Sequence, residues 1–116
     1  MLPLLTWRII MTHEQILLRL KENIQLVYRQ SVDADHSIEA LRKDDKAKFS
    51  AIFGDSTPFT TRSNLFLPYV EELAADLLAV QQASDDKSFE QGLATLVKKI
   101  ELMFSTLGAF KTNLKA

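Results

Sequence analysis

Apolar residues in this chain recur every three or four positions over long stretches, and this spacing constrains the fold more than any other feature. Side chains three and four positions apart lie on one face of an α-helix, whereas a strand needs strict alternation. No stretch alternates apolar and polar residues for long enough to indicate a strand. The sequence therefore predicts an all-α fold.

Four segments carry the helical spacing. The first covers residues 13–31, the third covers 65–83, and the fourth ends near Asn113. The second, residues 33–53, fits one bent helix or two short helices equally well. Because short loops between helices favour antiparallel neighbours, we predict an antiparallel bundle of about four helices, give or take one.

Local signals mark several helix boundaries. Thr12 and Gln15 have the spacing of a capping box, in which each side chain accepts a hydrogen bond from the other residue's backbone. Asp33 or Asp35 is a candidate N-cap for the second segment. Pro68 is compatible only with the first turn of a helix, where its missing N–H has no partner to lose. These signals predict where the helices begin.

The chain has 116 residues, which suits one domain, here predicted for residues 13–116 after an extension at 1–12. Two interpretations of the extension are open. In one, Met11 is the natural start and residues 1–10 are an upstream addition. In the other, residues 1–10 form a hydrophobic arm that packs on the bundle. No apolar run reaches the roughly 18 residues of a membrane span, so we expect no membrane association.

Residues that carry catalytic chemistry are sparse. The chain has no cysteine, and its two histidines, His13 and His36, lack the spacing of metal ligands. Glycine-rich nucleotide-binding motifs are also missing. We therefore predict a protein that is not an enzyme and uses no cofactor or metal. The lack of cysteine is compatible with a cytoplasmic location.

Binding is better supported than catalysis. Single-stranded nucleic acid is bound by cations along a groove together with aromatic faces on which bases stack. An aromatic-rich connection beside an arginine also suits a protein partner. The candidate residues are Phe59 and Arg62 in the connection, Arg19, Tyr28 and Arg29 in the first predicted helix, and Lys98 and Lys99 in the fourth.

A simpler interpretation of the same residues is structural. Phe59, Phe66 and Tyr69 would then close one end of the bundle, and the lysines would only solvate the surface. The net charge of −1 gives no general attraction to nucleic acid, so DNA contact would need a local basic patch.

The order of residues resembles the PriC family, also called primosomal replication protein N″. The matching stretches are residues 16–20 (Ile-Leu-Leu-Arg-Leu), 28–30 (Tyr-Arg-Gln), 53–59 (Phe-Gly-Asp-Ser-Thr-Pro-Phe), 69–79 and 96–107. Phe59 stands ten positions before Tyr69, as in the family's signature. Members of the family continue into an arginine-rich C-terminal region that has no counterpart before Ala116.

The resemblance implies a non-catalytic adaptor in DNA replication restart. Its expected partners are the single-stranded DNA-binding protein, the replicative helicase and single-stranded DNA. Because the basic C-terminal region has no counterpart here, protein contacts through the helical domain are the preferred expectation. The alternative is a helical protein-interaction or self-association domain of regulatory type with no role in nucleic-acid metabolism. A weaker third alternative is a bundle that encloses a small apolar ligand.

Overall fold

The structure is a computed structural model, which describes residues 12–43, 52–53 and 57–115. These residues form three helices: α1 (His13–Lys43), α2 (Leu67–Gln81) and α3 (Asp86–Lys115). Each helix contacts the other two, and no strand occurs among the described residues. The predicted all-α class is confirmed.

The first helix is longer than predicted, and this changes the helix count. Residues 13–31 and the beginning of the 33–53 segment form one uninterrupted helix that ends at Lys43. The apolar stripe continues through buried Ala34 and Ile38, so no new helix starts at Asp33 or Asp35. Residues 44–51 and 54–56 lie outside the described part of the chain. The described residues therefore form three helices, which lies within the predicted four, give or take one.

The start of α1 is a capping box, as predicted. The Thr12 backbone N–H donates to Gln15 Oε1 at 2.9 Å, and the Gln15 N–H donates to Thr12 Oγ1 at 3.2 Å. Each bond satisfies a backbone donor that has no partner within the helix. Pro68 lies in the first turn of α2, also as predicted.

Contacts between α2 and α3 show that these two helices run in opposite directions. The Phe66 ring, just before α2, meets Phe110 near the end of α3, with 5.6 Å between centroids. At the other end of α2, Val80 lies against Gly92 in the early part of α3. The connection at residues 82–85 is short enough to join antiparallel neighbours directly.

By contrast, α1 and α3 run in the same direction. The His13 ring at the start of α1 stacks on Phe89 at the start of α3, with centroids 3.8 Å apart. Much further along both helices, Ala34 and Leu107 line one groove. The three helices therefore run up, down and up, and the start of α2 lies against Asp35 in the second half of α1.

The core lies where the apolar stripes of the three helices meet. The apolar side chains of each helix form one stripe, and each stripe faces the other two helices. These side chains therefore share one interior. The most completely buried large side chains include Leu20, Tyr69, Leu73, Leu93, Ile100 and Met103.

Tyr28 does not belong to the buried stripe to which the sequence analysis assigned it. Its neighbour Val27 is fully buried, whereas Tyr28 is 52% exposed. Successive helical residues point about 100° apart, so Tyr28 points to one side of the direction in which Val27 faces the core. Tyr28 is instead available at the surface of α1.

The first turn of α2 is capped by a side chain from α1. The Asp35 carboxylate accepts the Phe66 N–H at 2.6 Å and the Leu67 N–H at 3.0 Å. Phe66, at the N-cap position, supplies no capping side chain of its own. A carboxylate at a helix N-terminus is also favoured by the helix dipole. Asp35 thus fixes the start of α2 against the second half of α1.

We predict that Asp35→Ala lowers the free energy of unfolding by about 1–3 kcal/mol, because two backbone donors lose their acceptor. Urea unfolding followed by circular dichroism measures the loss. Asp33→Ala is the matched control, since Asp33 is an exposed carboxylate on the same helix. Equal effects of the two variants would contradict the capping role.

Candidate functional site

The connection before α2 is held by the carboxylate of Glu72. Its oxygens accept the backbone N–H of Thr60 at 3.1 Å and of Thr61 at 2.7 Å. They also accept the hydroxyls of the same two threonines, at 2.8 and 2.6 Å. A single side chain of α2 therefore orders the backbone that precedes the helix.

Lys99 joins this arrangement from α3. Its ammonium donates to Glu72 Oε2 at 2.8 Å and to Asp76 Oδ2 at 2.6 Å. It also lies 5.6 Å from the centroid of the Phe59 ring. Lys99 is only 5% exposed, and an ammonium removed from water is costly unless it is paired. The two carboxylates supply that pairing and lock α3 to α2.

The ionisation of these groups reflects the pairing. Burial raises the pKa of Glu72, but hydrogen bonds from Lys99, Thr61 and Thr60 outweigh it and lower the pKa from 4.5 to about 2. Burial likewise lowers the pKa of Lys99, but its bonds to Asp76 and Glu72 outweigh this effect and raise it. Both groups stay charged at neutral pH.

Three aromatic rings pack beside this ion network. Phe53, Phe59 and Tyr69 contact one another, with centroids 4.9 to 5.1 Å apart. The Tyr69 hydroxyl donates to the Ser63 carbonyl at 3.1 Å and accepts the Ser63 N–H at 3.0 Å. The connection between Phe59 and α2 is therefore ordered from both sides. The aromatics close the end of the helical core, which is the simpler of our two interpretations of Phe59.

The seven predicted binding residues do not all lie at the surface, and the two that contact each other, Phe59 and Lys99, are buried. Phe59 is 6% exposed and Lys99 is 5% exposed, so neither side chain is presented to a partner. Lys98 is exposed although its neighbour is buried, because adjacent helical residues point in different directions. Arg62 is exposed in the connection before α2, far along the chain from the cations of α1 and α3.

The remaining three candidates, Arg19, Tyr28 and Arg29, are exposed on α1. Two large apolar residues, Leu18 and Leu26, accompany them at 56% and 46% exposure. We call this surface the outer face of α1, defined by Leu18, Arg19, Leu26, Tyr28 and Arg29. It holds three of the four large apolar side chains that are exposed in the described part of the chain.

The sequence analysis missed Leu18 and Leu26. Both fall outside the stripe of Ile16, Leu20 and Ile24, so their position on the helix could have shown that they face solvent. It also missed Glu72 as an anchor for the connection. No local pattern marks that role, because the bonded residues are 11 and 12 positions apart.

Charges on the outer face are only partly compensated. Arg19 pairs with Glu22 at 3.6 Å, but both side chains are more than half exposed. Such a surface pair contributes little to stability, on the order of 0–1 kcal/mol, and is readily exchanged for another partner. The arginines are therefore accessible to an incoming anion.

The described residues contain no candidate metal site and no candidate membrane span. Within them, no three His, Asp or Glu side chains converge as a metal would require. Both oxygens of Asp35 are already used by backbone N–H groups. Among the helices described, none combines the length and apolar character needed to cross a membrane.

Comparison with protein-family models, with curated proteins and with solved structures finds no match to this chain.

We predict that Glu72→Gln lowers the free energy of unfolding by about 2–3 kcal/mol, because Lys99 keeps only one carboxylate and the threonines lose a charged acceptor. Urea unfolding at pH 7 measures the loss. The matched control is Glu71→Gln, an exposed neighbour expected to change stability by less than about 0.5 kcal/mol. A small loss in both variants would show that the network contributes little.

The contribution of Glu72 should also depend on pH. Its pKa is about 2 in the folded chain and 4.5 without the fold, so its stabilisation is complete above pH 4.5 and is lost as pH falls towards 2. A difference of that size corresponds to roughly 3 kcal/mol. The free energies of unfolding of wild type and Glu72→Gln should therefore differ most at neutral pH and become equal near pH 2. If the difference in free energy of unfolding stays constant between pH 7 and pH 2.5, the stabilisation does not come from the ionised Glu72 carboxylate.

Proposed function

We propose that this chain is a non-catalytic interaction domain that acts as an adaptor in DNA replication restart, as its resemblance to the PriC family implies. The observation that carries the proposal is the outer face of α1. A surface of this kind serves recognition, because it contributes nothing to the core and exposes apolar area to water.

The composition of the outer face suits a protein partner. Tyrosine and arginine are the residue types most often found at the energetic centre of protein interfaces. Tyr28 and Arg29 are adjacent, and the exposed Leu18 and Leu26 add apolar area closer to the N-terminus of the same helix. Such a surface fits a peptide that combines acidic and apolar side chains.

Direct contact with single-stranded DNA is less well supported than contact with a protein. The charge of Lys99 is compensated by two carboxylates, and the Phe59 ring is buried where no base can stack on it. The exposed cations Arg29, Arg62 and Lys98 belong to three different elements. A DNA groove needs cations that follow one path.

Among the partners implied by the resemblance, we favour the acidic C-terminal tail of the single-stranded DNA-binding protein. Arg29 offers a charge that such a tail would bind, and the neighbouring Tyr28 offers an apolar surface. Binding of this partner would place the chain in the cytoplasm. A contact with the replicative helicase through the same face is the second form of the proposal.

A second candidate function is self-association without a role in nucleic-acid metabolism. It is favoured by the outer surface of α2, where Leu78 is 53% exposed and Ala74, Ala75 and Ala79 are also exposed. This surface carries no charge between Glu71 and Gln81 apart from the partly buried Glu72 and Asp76. Sedimentation equilibrium over a range of concentrations tests it, since a dimer would double the measured mass.

We predict that Arg29→Glu and Tyr28→Ala each weaken binding of the labelled C-terminal peptide of the single-stranded DNA-binding protein by about tenfold or more. Fluorescence anisotropy measures the dissociation constants. Lys98→Glu makes the same change of charge on α3 and should alter binding less than about threefold. Thermal unfolding of each variant should match wild type, because all three positions are exposed.

Two results would count against the proposal. Absence of peptide binding at low salt would favour the self-association candidate. Equal losses in Arg29→Glu and Lys98→Glu would indicate attraction by overall charge and not a site on α1. Tighter, strongly salt-dependent binding of labelled single-stranded DNA would instead support direct DNA contact.

A further inference from the structure

A groove lies between the second half of α1 and the last turns of α3. It has a volume of about 450 Å³, within the range of roughly 300–1,000 Å³ that is usual for small-ligand sites. Its walls include Asp33 and Ala34 from α1, and Leu107, Gly108, Phe110 and Lys111 from α3. The groove is therefore large enough for a small organic molecule.

The floor of the groove is apolar and is held in place by the helical core. Ala34 and Leu107 are both buried, so they close the groove on the side of the core. The Phe110 ring makes an edge contact with the Phe66 ring, with 5.6 Å between centroids. An apolar group of a ligand would thus meet a surface that is already formed, and would leave water when it binds.

Gly108 keeps one wall of the groove open. Glycine within a helix is less favourable than alanine, because it loses more conformational freedom on folding. A Cβ atom at Gly108 would meet nothing within 4 Å, so no close approach of helices requires a glycine there. Gly92 differs, since a Cβ atom there would lie 3.0 Å from Val80 Cγ2. The missing side chain of Gly108 instead provides free space in the groove.

Two opposite charges line this groove without pairing. The Asp33 carboxylate belongs to α1 and the Lys111 ammonium to α3, and both residues are exposed. The ion pairs formed among the described residues include neither of them. Each charged group is therefore available to a ligand that carries the complementary charge.

We propose that this groove binds a small zwitterion with an apolar side chain, namely a free apolar α-amino acid. The ammonium group of the ligand binds the Asp33 carboxylate, and its carboxylate binds the Lys111 ammonium. Its side chain lies against Ala34, Leu107 and Phe110. None of the residues that line the groove belongs to the outer face of α1, and the inference does not depend on the proposed function.

L-Phenylalanine is the probe, and two analogues separate the roles of its charged groups. Phenethylamine lacks the carboxylate and hydrocinnamate lacks the ammonium group, whereas both keep the ring. In a titration of the full-length chain followed by amide NMR, L-phenylalanine should shift the signals of Ala34 and Gly108. For a ligand of this size in an open groove, the expected dissociation constant is on the order of 1 mM. Each analogue should bind about fivefold or more weakly, because one charge loses its partner.

Two charge variants assign the contacts. Asp33→Asn should weaken binding of L-phenylalanine and phenethylamine by about fivefold or more, without weakening binding of hydrocinnamate. Lys111→Met should weaken L-phenylalanine and hydrocinnamate to a similar extent, without weakening phenethylamine. Lys87→Met is the control, since it removes an exposed cation near the start of α3, outside the groove. It should leave all three dissociation constants unchanged.

A third variant fills the groove. Gly108→Leu should abolish binding of all three compounds, and the fold should persist because a Cβ atom there has room and leucine favours a helix. Ala109→Leu is the matched control at the next position of α3, which is exposed and does not line the groove. Circular dichroism of every variant should show unchanged helix content.

Three results would overturn the proposal. The first is the absence of shifts at about 10 mM L-phenylalanine, roughly tenfold above the expected dissociation constant. The second is equal binding of L-phenylalanine and its two analogues, which would show that the charges do not recognise the ligand. The third is an equal effect of Gly108→Leu and Ala109→Leu, which would place the ligand outside the groove. Binding that requires both charges and the space at Gly108 is the expected result.

Discussion

The buried ammonium of Lys99 determines how α2 and α3 fit together. It needs two carboxylates at once, and α2 supplies both of them one helical turn apart, at Glu72 and Asp76. Sliding α3 along α2 by a turn would separate the charges and leave them in a poorly solvated interior. Apolar packing tolerates many alignments of two helices, whereas this charge arrangement selects one. The register of α2 and α3 therefore follows from electrostatics more than from the shape of the core.

Glu72 also orders the connection before α2. The same carboxylate that binds Lys99 accepts four donors from Thr60 and Thr61, so the path of the connection depends on the charged state of the network. The ring of Phe59, next to Thr60, then packs on Tyr69 and near Lys99. A segment rich in turn-forming residues is thus ordered by contacts with α2 and α3. This order removes Phe59 from the surface, whereas Tyr28 on α1 remains exposed.

The sequence predicts local features of this fold well and long-range features poorly. The helical class, the capping box at Thr12 and the place of Pro68 all depend on residues within a few positions of one another. The caps and anchors made by Asp35 and Glu72 join residues 11 to 32 positions apart, and no spacing rule marks them. Residue type makes Lys98 and Lys99 equally good binding candidates. Only the fold shows that Lys99 is buried. Residue type also makes Arg19, Tyr28 and Arg29 on α1 binding candidates, and these stay predictions.

The cap that Asp35 provides has a consequence for how the domain forms. Helices of 15 residues, such as α2, are marginal in water on their own, and α2 also lacks a capping side chain at its N-cap position. The acceptor for the Phe66 N–H is the Asp35 carboxylate of α1, which is in place only when the two helices have docked. Secondary and tertiary structure at this junction therefore form together, and α2 does not persist as an independent helix. The domain should behave as one cooperative unit, in which loss of α1 also melts the start of α2.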